Sequence, residues 1–221
     1  MRGTGAVAPR PRAARAARAP AGLPRVVLHR PTAEDGPEFL RLVRASRALH
    51  GTWVEVPSSP VAFARYLARA AGEDDPLPRH VCRLVRDARD GALVGVVNLN
   101  DIVWPGVRGA SLGYYAFAAH AGRGYVRAGV RELLGHAFGS GVRLHRVEAL
   151  VQPENVRSRA VIRALGFRRE GLARRVLRLG GAWRDHERWA LLAEEWRETH
   201  ARRAAPHVAA RHGGRSAVRS A

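Results

Sequence analysis

The stretch that most limits the possible folds is 146–167, RVEALVQPENVRSRAVIRALGF. A strand pattern, RVEALV (146–151), passes through Pro153 into an apolar helix that stops at Gly166. Pro153 sits just outside that helix, where its fixed φ and missing N–H cost little. Asn155 and Ser158 both suit a helix start, where side chains accept backbone N–H groups. One helix needs only one such cap, so at least one of the two polar groups is expected to have another partner.

The segments on either side follow the same grammar. RVVLHR (25–30) reads as a strand rich in β-branched residues. Thr32 is placed to cap a helix over about 33–48, with Glu34 and Asp35 in its first turn. A second helix is expected over about 60–70. HVCRLVRD (80–87) and ALVGVVNLN (92–100) form a hairpin around DARDG, and GASLGYYAF (109–117) is a further strand. Val126, Val130, Leu133, Leu134, Ala137 and Phe138 then share one helical face, which Gly139 and Gly141 end. Two last strands, 168–179 and 182–192, meet at a tight turn in LGGAW. The order βααβββαβαββ implies one α/β domain with a mixed sheet flanked by helices.

Charge separates this domain from its ends. Residues 1–25 hold six Arg and no acid, and residues 201–221 hold five Arg and no acid. Of the formal +19, that leaves 27 Arg against 19 acids, or +8, for residues 26–200. Segments rich in Ala, Gly, Arg and Pro have little to bury, so 1–24 and 198–221 are expected to be disordered tails around a domain at 25–197. The N-terminal tail lacks the apolar region of a secretory signal, and no apolar run approaches the roughly 18 residues of a membrane span. A cytoplasmic protein with no membrane partner is expected. The chain has no Lys, which excludes a Walker-type phosphate loop and Schiff-base chemistry. Its one cysteine, Cys82, reads as a small buried hydrophobe.

AGRGYV (121–126) joins a strand to a helix, and glycines at a helix N-terminus allow a phosphate to approach the free amides. An ordinary tight turn uses the same residues. Three segments together carry more. LGYYAFAAHAGRGYVRAG, HRVEALVQPENVRSRAVIRALGFRREG and GAWRDHERWALL, in that order, make residues 25–196 resemble the GCN5-related N-acetyltransferase superfamily, and within it the ribosomal-protein alanine N-acetyltransferases.

The resemblance implies a mostly antiparallel sheet that splays between two parallel central strands, 110–117 and 146–151. It implies acetyl-CoA as co-substrate in that opening, with no metal. Backbone groups near Tyr115, Ala116 and Phe117 would pair with the pantetheine amides, and the amides of Gly122, Arg123, Gly124, Tyr125 and Val126 would hold the diphosphate. Asn155 matches a contact to the pantetheine arm, and Ser158 a hydroxyl near the cofactor sulfur, suited to protonate the leaving thiolate; its competing role is a helix residue bonding back to a carbonyl one turn earlier. Ala121, Val126 and Arg127 depart from the family's usual residues there, although binding through amides does not depend on side chains.

The reaction implied is direct attack by a neutral amine, a protein N-terminal α-amine in the ribosomal-protein type. Alternatives are a small-molecule amine acceptor, or a non-catalytic protein that binds RNA or the ribosome through its basic tails. Glu148 is the first candidate base, with pairing to an arginine as its competing role, and Asp101 is the second. Turn and strand-end roles account for His145, Asp185 and His186. No His or acid cluster has metal-binding spacing. The oligomeric state is not legible.

Overall fold

A computed structural model describes residues 22–204, with side chains as far as Thr199. The rest of the expected tails lies outside the described residues. Among the described residues seven strands form one sheet in the order β1-β2-β3-β4-β5-β7-β6. They are β1 (Val26–His29), β2 (Val81–Asp87), β3 (Leu93–Val103), β4 (Gly109–Ala116), β5 (Arg146–Val151), β6 (Arg168–Leu179) and β7 (Ala182–Leu192). Every neighbouring pair is antiparallel except β4 and β5. This is the mixed α/β sheet expected from the element order, mostly antiparallel as the family resemblance implies.

Helices cover both faces. On one side lie α1 (Gly36–Ala45), the short α2 (Arg47–His50) and α3 (Pro60–Ala71). Their core with the sheet is aromatic: Phe39 lies 4.7 Å from Phe63 and 5.9 Å from Phe117, ring centre to ring centre. Cys82 is fully buried there, and burial pushes its thiol pKa up. On the other side lie α4 (Tyr125–Phe138), α5 (Val156–Ala164) and α6 (Ala193–Ala204). The α4 face read from the sequence is the one that packs. Val130, Leu133, Leu134, Ala137 and Phe138 are buried, and Val126 is half-buried at its edge.

Two local expectations need correction. The helix expected over 33–48 is three pieces: a single turn at Ala33–Asp35, then α1, then α2 after a break at Ser46. The Ser46 hydroxyl donates to the Leu42 carbonyl at 2.7 Å and accepts the Ala118 N–H at 2.9 Å. A buried side chain that serves a distant strand end in this way competes with continued helix. The second correction is α6, which crosses the expected boundary at 197. Its start is marked by Glu195, whose carboxylate accepts the Leu192 N–H at 3.1 Å. Trp196 then buries against Phe138, 6.1 Å away.

Gly95 fixes how closely β3 and β4 approach. A Cβ there would stand 2.7 Å from the Tyr115 carbonyl oxygen and 3.1 Å from a methyl of Val126. Backbone cannot yield as a flexible side chain does, so Gly95→Ala is expected to cost about 1–3 kcal/mol of stability. Chemical denaturation would show this as a lower midpoint at unchanged slope.

Candidate functional site

The parallel pair β4/β5 is short. It has three rungs, Gly109↔Arg146, Ala110↔Val147 and Ser111↔Glu148, and then stops. Beyond them β4 continues against β3 alone and β5 against β7 alone. The sheet is therefore open between Leu112–Ala116 and Ala149–Val151. Backbone polar groups in such an opening lack the partners a continuous sheet would supply.

Which groups face the opening follows from the ladder. The Phe117 N–H donates to the Val94 carbonyl at 3.1 Å. In an antiparallel pair hydrogen-bonded residues alternate, so Tyr115 and Phe117 turn their backbone groups to β3, while Leu112, Tyr114 and Ala116 turn theirs to the opening. Of the three residues expected to offer backbone groups, only Ala116 does so. Its carbonyl already accepts a hydrogen bond from His50 Nε2 at 2.9 Å. The Ala118 N–H is held by Ser46, as above. His50, in α2, and Ser46, at the α1–α2 break, thus grip the end of β4 on the side that β5 no longer pairs.

Side chains alternate too, and the adjacent tyrosines go to opposite faces. Tyr115 enters the aromatic core beside His50, with ring centres 5.2 Å apart. Its hydroxyl and His50 Nδ1 are buried without a hydrogen-bond partner among the described residues. Tyr114 points to the α4/α5 side and meets Ser158, with 2.6 Å between the two hydroxyl oxygens. The Tyr114 hydroxyl also lies 3.2 Å from the Ser158 carbonyl, to which it can donate. Burial pushes the Tyr114 pKa up to about 12, partly offset by the Ser158 hydrogen bond. It therefore stays protonated at neutral pH.

The surplus cap on α5 is resolved by these contacts. Asn155 is the helix cap: its side-chain oxygen accepts the Ser158 N–H at 3.1 Å. The Ser158 hydroxyl, left over from capping, pairs with Tyr114. Asn155→Ala is expected to destabilise by about 1 kcal/mol through loss of the cap, which thermal melting would detect.

At the start of α4, Gly122 and Gly124 have φ of +77° and +85°, where glycine is favoured. Gly124 is the N-cap and brings no capping side chain, and the first intrahelical bond runs from Ala128 N to Gly124 O. The amides of Tyr125, Val126 and Arg127 thus precede the first helical bond and form a site suited to an anion. The Tyr125 side chain has a different role. Its hydroxyl donates to the buried carboxylate of Asp87, which Arg89 and Tyr125 together hold well below the usual carboxylate range. That contact ties the start of α4 to β2.

Of the candidate bases, Glu148 stands on the last closed rung, half-exposed, and accepts from Arg146 Nε at 2.8 Å; Arg188 lies 3.9 Å away. Asp101 is on β3 beyond the rung formed with Ser111, at the closed end of the seam, and so lies away from the opening. Asp185 accepts the Arg175 N–H in the β6–β7 hairpin, and the buried His186 contacts the Arg184 carbonyl. His145 precedes β5 at the closed end. Among the described residues no group of three or more His, Cys, Asp or Glu is placed to hold a metal ion, and no helix is long and apolar enough to cross a membrane. Tyr114, His50 and Ser46 are additions the sequence reading missed; strand alternation in GYYAF was the signal available for Tyr114.

Comparison with known proteins fits this geometry. Residues 25–168 match the family described as Acetyltransferase (GNAT) domain. The chain is 38% identical over 105 residues to a probable N-acetyltransferase, YjcK, of Bacillus subtilis, covering 48% of this chain and 58% of that protein. It is 30% identical over 117 residues to the ribosomal protein uS5-alanine N-acetyltransferase of Escherichia coli, covering 50% and 56%. It thus spans a little over half the length of these curated relatives. Among solved structures, Mycobacterium smegmatis RimJ in complex with CoA-disulfide superposes with a TM-score of 0.70 at 30% identity, covering 77% of this chain and 83% of that one.

Proposed function

This chain belongs to the GNAT acetyltransferase family, and from that premise we propose that it transfers an acetyl group from acetyl-CoA to a primary amine, of which a protein N-terminal α-amine is the best-supported kind. The observation that carries the reading is the sheet opening after Ser111↔Glu148, with an uncapped glycine-started helix beside it. Amides of Gly122 to Val126 would bind the diphosphate, and the N–H groups of Tyr114 and Ala116 would face the pantetheine arm and the thioester oxygen. The Asn155 amide nitrogen, free of capping duty, is available to donate to the same arm.

The acetyl thioester supplies the electrophile that the amine attacks. This chain's residues orient the attack and supply the proton that the leaving thiolate takes up. The backbone donors of β4 stabilise negative charge on the former carbonyl oxygen; a single such donor is often worth ~3–4 kcal/mol. Ser158 Oγ–H gives its proton to the departing sulfur, Tyr114 at 2.6 Å replenishes it, and the proton that the acylated nitrogen sheds returns through water to Tyr114, so the pair ends as it began. Glu148 is a poor first acceptor for the ammonium proton because Arg146 already neutralises it. An α-amine, with an ordinary pKa of about 7.7–8.0, loses that proton to water readily near neutral pH.

The same charges bear on the acceptor. Glu148 and Glu187, the carboxylates on β5 and β7 that border the opening, are held by Arg146 and by Arg159 and Arg169 respectively. An acceptor carrying one positive charge suits that border better than a polyamine. Labelled acetyl transfer to N-terminal peptides and to spermidine, run side by side, tests this. Alanine-started peptides are expected to accept at least tenfold faster on roughly the scale one lost charged contact sets. Transfer to spermidine alone would overturn the α-amine reading, and failure to bind acetyl-CoA would overturn the whole assignment.

A further inference from the structure

The closed end of the seam carries a second charged feature, remote from the opening and untouched by the chemistry above. An open depression of about 470 Å³ lies where the end of α4, the start of β5 and the start of α6 meet. Arg108, Arg143, His145 and Arg197 line it, from the β3–β4 loop, the α4–β5 loop and α6, together with Ser140. One carboxylate, Glu194, faces them, 3.9 Å from His145.

Arginine is abundant here, so the partners decide. Elsewhere in the fold Arg83, Arg86 and Arg146 are each neutralised by carboxylates. Among the described residues Arg108 donates to the Arg143 carbonyl and Arg197 to the Phe138 carbonyl, and none of Arg108, Arg143 and Arg197 has a carboxylate partner. A guanidinium bonded to one carbonyl keeps its full charge and several unused donors. Capping α4 does not require this many cations. The carbonyls of Gly135, His136 and Ala137 are taken by the amides of Gly139, Val142 and Leu144, which leaves only Phe138 for Arg197.

The backbone adds an independent observation. Arg108 and Arg143 have φ of +45° and +59°, a region that residues other than glycine seldom adopt. Of the four non-glycine residues with positive φ among the described residues, two line this one depression. Glycine would relieve both positions, yet the side chains are there.

We propose that this depression is a phosphate-binding site, for a phosphate carried on a nucleotide or on an RNA strand. Planar guanidinium forks from three separate segments suit the tetrahedral oxygens of phosphate, and the volume is in the range of small-ligand sites. The site is distinct from the α4 N-terminus, which lies at the other end of the same helix.

The test titrates the full-length chain with sodium pyrophosphate while following backbone amides by NMR. Saturable shifts at residues 139–145 and 193–197 are expected. Arg143→Gly should weaken them about tenfold or more while leaving Tm equal or higher, because glycine suits that backbone. Arg197→Gln, exposed and outside the strained loops, is the second variant and should weaken them similarly. ADP and a six-nucleotide RNA as separate arms identify the carrier, the tighter of the two being the natural class. Shifts confined to residues 122–126, shifts unchanged in both variants, or equal shifts with succinate would each overturn the proposal.

Discussion

Ser158→Ala is expected to lower the acetyl-transfer rate by roughly 10²-fold while acetyl-CoA binds nearly as before, the scale of a lost general acid. The reason is local. Asn155 caps α5 through the Ser158 backbone N–H, so the helix start survives when the hydroxyl is removed. Among the described residues the hydroxyl's one side-chain partner is Tyr114, at 2.6 Å. Tyr114→Phe keeps the ring and removes the partner, so it is expected to reduce the rate less, about tenfold on the scale of one hydrogen bond to a developing charge. Because the two groups act as a unit, the double variant Ser158→Ala/Tyr114→Phe should be little worse than Ser158→Ala alone. Steady-state rates with calorimetric CoA affinities measure all three. Losses in affinity matching those in rate would move both residues from chemistry to cofactor binding, and a fully active Ser158→Ala would remove the acid role.

What could be read from the sequence divides along the range of the interactions. Strand and helix signals are local, and they located all seven strands, the apolar face of α4 and the cap pair on α5. Asn155 and Ser158 were recognisable as one cap too many, yet the residue that takes the surplus hydroxyl, Tyr114, is 44 positions away. Nothing local announces such a partner. Ser46 is similar. As a residue in an amphipathic run it reads as mid-helix, and only the Ala118 N–H, 72 positions on, makes a break there favourable. Glu148 shows the opposite case. The carboxylate was visible and so was its competing role, but choosing between them needed the position of Arg146 two residues earlier on the same strand face. Tyr115 and Phe117 were expected to offer backbone groups to the opening, and the register against β3 turns them away.

The open seam itself raises a mechanical question: what holds the end of β4 once β5 has left? His50 is part of the answer, and His50→Leu is expected to show it with the second large effect. A carbonyl oxygen can only accept, so Nε2 carries the proton in the bond to Ala116, and Nδ1 is bare when the ring is neutral. Leucine would leave the Ala116 carbonyl without that donor, at a cost of about 1–3 kcal/mol, and would free the strand end that borders the opening. Thermal melting should show the loss, and faster exchange of the Ala118 amide should locate it. His50→Gln, which can donate from a side-chain amide, should recover part of both.

Proton binding gives a further handle on the same residue. Burial lowers the His50 pKa below its ordinary 6.5, outweighing the opposing effect of the Ala116 bond. Below that pH the unfolded chain binds a proton that the folded one resists, so stability falls as pH falls through about 6.5 and is regained above it. His80, also lowered by burial first, acts in the same direction. In His50→Gln the fall between about pH 6.5 and 5 should be shallower than in the parent. Parallel profiles for the two proteins would mean that His50 titrates freely, and the end of β4 would then be held by Ser46 alone, through the Ala118 N–H.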